Sequence, residues 1–127
     1  MLLTHRWHLI RSIMNPENLK ERLLEIYPEI KISINEKYIK ENAIRTYRYD
    51  IEETAIIKYI ISFLLSYDDG IEATNILANA ININFENEYK KWYMKKEDVK
   101  SLRSKGHLIG SHSHSHRPLS ILNENER

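Results

Sequence analysis

Leu102-Arg103-Ser104-Lys105-Gly106-His107-Leu108-Ile109-Gly110-Ser111-His112-Ser113-His114-Ser115-His116-Arg117-Pro118 is the stretch on which a fold assignment turns. It reads as a helix end, a glycine cap, a short apolar run and a histidine-rich loop. Lys105 falls in the last helical turn, and Gly106 can take the left-handed conformation that closes a helix. His107-Leu108-Ile109 is the best strand candidate of the chain, and Pro118-Leu119-Ser120-Ile121-Leu122 opens a further helix. Half of the six histidines lie in the five residues from His112 to His116. Neutral imidazole is the commonest side-chain metal ligand. Two of them four residues apart stand one helical turn from each other, so His112 and His116 can reach one cation at about 2.0–2.1 Å. His114 lies between them; in an extended loop it shares their face and is a third candidate ligand.

Outward from this stretch the chain is read as helical. Gly and Pro number three each, so turn signals are few. Asn15-Pro16-Glu17 is a helix start with proline at the first helical position, followed by an apolar stripe of Leu19, Leu23, Leu24 and Ile26 that Tyr27-Pro28 ends. A weaker helix is expected over Glu36 to Ile44. Asp50 with Glu53 has the spacing of a capping box and opens a helix through Ala55, Ile56, Tyr59, Ile60, Phe63 and Leu64. Ile71 to Ile81, Glu86 to Met94 and Lys96 to Lys105 follow, the last with Val99 and Leu102 facing inward. A strand, ligand-bearing loop and helix in succession form a βα unit, and such units come in sets. The expected fold class is therefore mainly α with one or two short strands, as a fragment of a larger (β/α) barrel. It forms one partial domain over 1–127: a helical region over 1–92, then helix, strand and histidine motif over 93–127.

Composition narrows the function classes. With 42% hydrophobic and 29% charged residues, the chain belongs with folded rather than disordered sequences. A net charge of +1, with Lys and Arg alternating with Glu and Asp, argues against a nucleic-acid surface. Cysteine is absent, so histidine and carboxylate are the strong ligands available. Ala55 to Leu65 is the greasiest segment, yet it holds Lys58 and Ser62 and is too short to span a bilayer. The start, Met1-Leu2-Leu3-Thr4-His5-Arg6-Trp7-His8, lacks the pattern of a secretion signal, so a cytoplasmic location is expected.

The last 30 residues resemble the polysaccharide deacetylases of the NodB-homology type. Tyr93-Met94, the helix ending at Gly106, the apolar run, Gly110-Ser111, the two histidines and Pro118-Leu119-Ser120 carry the resemblance. In that family the second motif is His, Ser or Thr, two variable residues and His after a barrel strand, and the two histidines bind the metal. The resemblance implies metal ligation by His112 and His116, with Ser113 at the Ser/Thr position and His114 at a variable one. Leu108 departs from the family, whose members often carry an acid there.

The family's first motif, an Asp-Asp after a strand, supplies a general base and a third metal ligand. Tyr67-Asp68-Asp69-Gly70 is open to two readings. In one, Ile60 to Leu65 is the strand, Asp68 the base and Asp69 the ligand. In the other, residues from His5 to Leu65 resemble a helical insertion found in some members between the second strand and the histidine motif. The Asp-Asp motif is then expected upstream of Met1, and Asp68 and Asp69 only cap a helix or make a surface turn. The helix-opening signal at Asp50 and the Asn-interrupted run from Ala78 to Phe85 favour the second reading.

His5 and His8 are read as partly exposed helix histidines without a functional role. Trp7, Trp92 and the tyrosines from 38 to 49 are read as packing anchors with their polar tips in water. The resemblance implies a metal-dependent deacetylase of N-acetyl polysaccharides or amino sugars, with zinc as the expected divalent metal. With base, third ligand and the family's later acid histidine missing, the chain alone is expected to be truncated and weakly active or inactive. The alternative is a non-catalytic helical interaction module or remnant with a vestigial histidine site. A partial barrel would expose apolar faces and so favour self-association or a complementing fragment.

Overall fold

Asn15 opens the second helix as its sequence dictates: its side-chain oxygen accepts from the Asn18 amide at 2.9 Å, and Pro16 takes the first helical position. The computed structural model describes residues 1–33, 36–112 and 116–125. Among the described residues eight α-helices run in order: α1 Leu3–Ile13, α2 Pro16–Ile26, α3 Pro28–Ser33, α4 Glu36–Thr46, α5 Glu52–Tyr59, α6 Tyr67–Ala80, α7 Phe85–Trp92 and α8 Lys96–Ser104. Tyr27 does end α2, but Pro28, placed to start a helix, re-enters at once as α3.

The core forms where the apolar stripes meet. Leu19 and Leu23 of α2 are fully buried with Ile57 of α5 and Ile60 just beyond it. Trp7 and Ile10 of α1 meet Ala73 and Leu77 of α6 in the same cluster. The α4/α5, α2/α5 and α1/α6 pairs carry most of the packing. Close approach of α1 and α6 accounts for Gly70: a Cβ there would lie 2.8 Å from a Leu3 methyl.

Two helix starts differ from expectation. Asp50 makes no capping box with Glu53. The Tyr47–Asp50 turn delays α5 to Glu52, so Ile51 occupies the cap without a side-chain bond. Asp50 instead meets the Lys58 ammonium at 2.6 Å. At α6 the helix begins at Tyr67 rather than Ile71, because Ser66 caps it by accepting from the Asp69 amide at 3.1 Å.

The strand expectations are corrected. No strand is present among the described residues, and the chain is mainly α. Residues 107–110 are exposed and irregular, with the Leu108 side chain wholly in solvent. A single extended run has no neighbour for its N–H and C=O groups, so nothing holds it as a strand. Ile60 to Leu65 is not a strand either. Residues Ile60–Leu64 form a π-helical turn that continues α5, closed by the Leu65 amide donating to the Ile60 carbonyl at 3.1 Å. The final helix shrinks to a 3₁₀ turn over Leu119–Ile121.

The cap at Gly106 forms as its sequence implies. Its φ is +91°, the His107 amide donates to Leu102 and the Gly106 amide to Arg103, which is a Schellman closure of α8. Val99 and Leu102 are the half-buried side of that otherwise exposed helix.

Candidate metal centre

His112 and His116 each lie outside any helix, and their rings approach one another. Their ring centroids lie 4.8 Å apart at an interplanar angle of 69°. His116 has a φ of +58°, in the left-handed region that histidine adopts more readily than most residues. Ser113 and His114, the expected Ser/Thr position and third candidate ligand, lie outside the described residues.

The pair can be tested against a zinc ion by geometry. Imidazole nitrogens about 2.0–2.1 Å from a tetrahedral ion place two ring centres roughly 5 Å apart. The observed 4.8 Å is compatible with that spacing. The donor set is short, however. Among the described residues no group of three or more His, Cys, Asp or Glu is arranged to hold a metal ion. Two imidazoles fill half of a tetrahedral shell and leave the rest to water, substrate or another chain.

Asp68 and Asp69 stand elsewhere. They occupy the first turn of α6, where negative charge complements the helix dipole. The Ser66 hydroxyl donates to Asp69 Oδ2 at 2.5 Å, and the Tyr27 hydroxyl donates to the Asp69 carbonyl at 2.8 Å. Burial raises the Tyr27 pKa above 10.0, with Glu72, Asp69 and Glu29 adding to the effect, so this donor keeps its proton at neutral pH. Neither aspartate borders the space beside the histidine pair. Asp68 is exposed, and Asp69 is occupied with its own helix.

That space is a cleft of about 540 Å³ between α1, α5 with its π turn, and the histidine loop. From α1 come Trp7, His8 and Arg11; from the opposite side come Tyr47, Lys58 and Ser62. The Tyr47 hydroxyl donates to Ser62 Oγ at 3.1 Å, and the Lys58 ammonium lies 5.4 Å from the Tyr47 ring centre. The π turn supplies Ile61 and Ser62 to the cleft wall.

His8, an exposed histidine of α1 as expected, also borders this cleft. Loss of water on its cleft side, then the charges of Arg11, His5, Lys58 and His116, lower its pKa from 6.5. It is therefore mainly neutral at physiological pH and available as a donor or acceptor. Its sequence signal was the spacing of Thr4, Trp7, His8 and Arg11, one face of α1, all of which border the cleft. Trp7 departs from expectation. Its indole is 3% exposed and its Nε1–H is buried without a hydrogen-bond acceptor, rather than reaching water.

His5 has a structural partner. Its Nδ1 lies 2.6 Å from the Tyr93 hydroxyl, which also accepts from the Leu2 amide at 2.8 Å and so ties the end of α7 to α1. Trp92 is exposed beside it. Among the described residues no helix is long and apolar enough to cross a membrane.

No protein-family model, characterised protein or solved structure matches this chain.

Proposed function

We propose that this chain carries the histidine half of a divalent-metal centre of the polysaccharide deacetylase type, with His112 and His116 as ligands and zinc as the metal. The observation that carries the reading is the approach of the two rings to 4.8 Å at the mouth of the cleft. In such a centre the metal supplies an activated water and polarises an N-acetyl carbonyl. The substrate class is an acetylated polysaccharide or amino sugar. The barrel relationship rests on the sequence of the last 30 residues.

The chain by itself is weakly active or inactive in this reading. No carboxylate among the described residues completes the ligand set, and none borders the cleft as a base. That same shortage favours a second reading, a non-catalytic helical module that retains the histidine pair. Self-association or a complementing polypeptide would supply the missing ligands.

Isothermal titration of purified protein with zinc, paired with acetate release from an N-acetylglucosamine oligomer, tests the proposal. The expected result is one zinc site abolished by His112→Ala with His116→Ala, and little or no acetate. No zinc binding, or binding indifferent to both substitutions, removes the metal centre. Zinc binding with robust turnover refutes the inactivity and returns Asp68 and Asp69 to candidacy.

A further inference from the structure

The histidine pair is open to groups brought from outside the fold. His112 and His116 are both exposed, as is every residue from 103 to 112. Their rings stand 4.8 Å apart, a spacing that fits two ligands on one tetrahedral ion. Among the described residues the donor set ends there. His8 borders the same cleft, yet no third His, Asp or Glu is grouped with the pair. Asp68 and Asp69 serve the start of α6. Cysteine is absent from the chain, so a further strong ligand has to be an imidazole or a carboxylate.

A closed zinc site takes four protein ligands at the corners of a tetrahedron. One chain offers two of them, and a second copy carries the same pair in the same exposed setting. A two-fold axis through the ion sets the second pair opposite the first and completes the shell without any residue from elsewhere. The surroundings suit such a contact. Leu108 is wholly in solvent and Ile109 half exposed on one side of the pair in sequence, and Leu119 and Ile121 are exposed on the other. Leu119 also borders the cleft together with both histidines. Large aliphatic side chains left in water beside a ligand pair supply apolar area for a self-complementary contact to bury.

We infer that two copies of this chain share one divalent cation on a two-fold axis, each giving His112 and His116 to a closed site of four imidazoles. The inference rests on the reading of the pair as metal ligands, and it names the partner that completes the set. A closed shell leaves no position for an activated water, so the shared cation joins chains and does no hydrolysis. The bridged dimer is thus the non-catalytic form of the histidine pair.

Sedimentation velocity on metal-free protein, with zinc added stepwise from none to two equivalents per chain, tests this. The expected result is a shift from the 15.2 kDa monomer to twice that mass, complete near half an equivalent. The dimer should be at least about tenfold tighter than in EDTA, and further zinc should reverse the shift as each pair takes its own ion. Zinc-edge X-ray absorption at half an equivalent should show a shell of four imidazoles, a readout that needs no variant. Protein carrying His112→Ala and His116→Ala should stay monomeric, with its amide spectrum checking the fold. One zinc per chain on a monomer at every ratio overturns the inference and leaves the metal reading standing, with water or His114 filling the shell. A dimer equally stable in EDTA overturns it too, because the cation then joins nothing. Absence of zinc binding removes the pair as ligands, and the inference with it.

Discussion

Asp69→Ala separates a helix cap from a metal ligand. The structure assigns Asp69 to the start of α6, where its carboxylate accepts from Ser66 at 2.5 Å within the first turn. Loss of that bond and of a favourable charge at the helix N-terminus is expected to destabilise the fold by about 1–1.5 kcal/mol. For a chain of 127 residues the unfolding entropy is about 0.27 kcal/mol per kelvin, so Tm should fall by roughly 4–6 °C. Ser66→Ala should lower it by about 4 °C through loss of the cap. Because the two changes remove the same bond, the double variant should lose less than their sum. Differential scanning calorimetry reads all three, and zinc titration of each should match wild type. A tenfold or greater loss of zinc affinity in Asp69→Ala, with Ser66→Ala unaffected, would refute the assignment and put Asp69 on the metal.

Leu23→Ala should destabilise the chain by about 3 kcal/mol in urea denaturation, because Leu23 is fully buried and α2 packs on α5 there. Tyr93→Phe removes the hydroxyl that bonds Leu2 and His5 and should lower stability by about 1–2 kcal/mol. Faster amide exchange at the start of α1 and the end of α7 would accompany it. His8 makes stability depend on pH. Its folded pKa lies below 6.5, so under that pH the unfolded chain binds more protons and the fold loses stability as pH falls. Tm measured from pH 7.5 down to 5 should drop more in wild type than in His8→Gln. The ring is exposed on its outer side, which keeps the difference small.

The helices were legible because local chemistry decides them. Asn15-Pro16 fixed one start, and Gly106 fixed one end through a left-handed residue that has no competitor nearby. Asp50 misled because a cap depends on where the chain turns, and the Tyr47–Asp50 turn delivered that carboxylate to Lys58 instead. His107-Leu108-Ile109 has strand composition, yet a strand needs a second extended segment in register, and none of the described residues pairs with it. At the site, His112 and His116 do approach, but neither lies in a helix, so the helical spacing that singled them out is not what is seen at those two residues. The contributions of Trp7, His8 and Arg11 were hidden for a different reason. They lie some hundred positions away in sequence, and only tertiary packing of α1 brings them to the loop.

X-ray absorption at the zinc edge, on protein loaded with one equivalent of zinc, addresses the histidine pair itself. The account predicts a first shell containing two imidazole nitrogens at about 2.0–2.1 Å, with their outer-ring scattering absent after His112→Ala and His116→Ala. A shell of oxygens alone, or one unchanged by those substitutions, would contradict it.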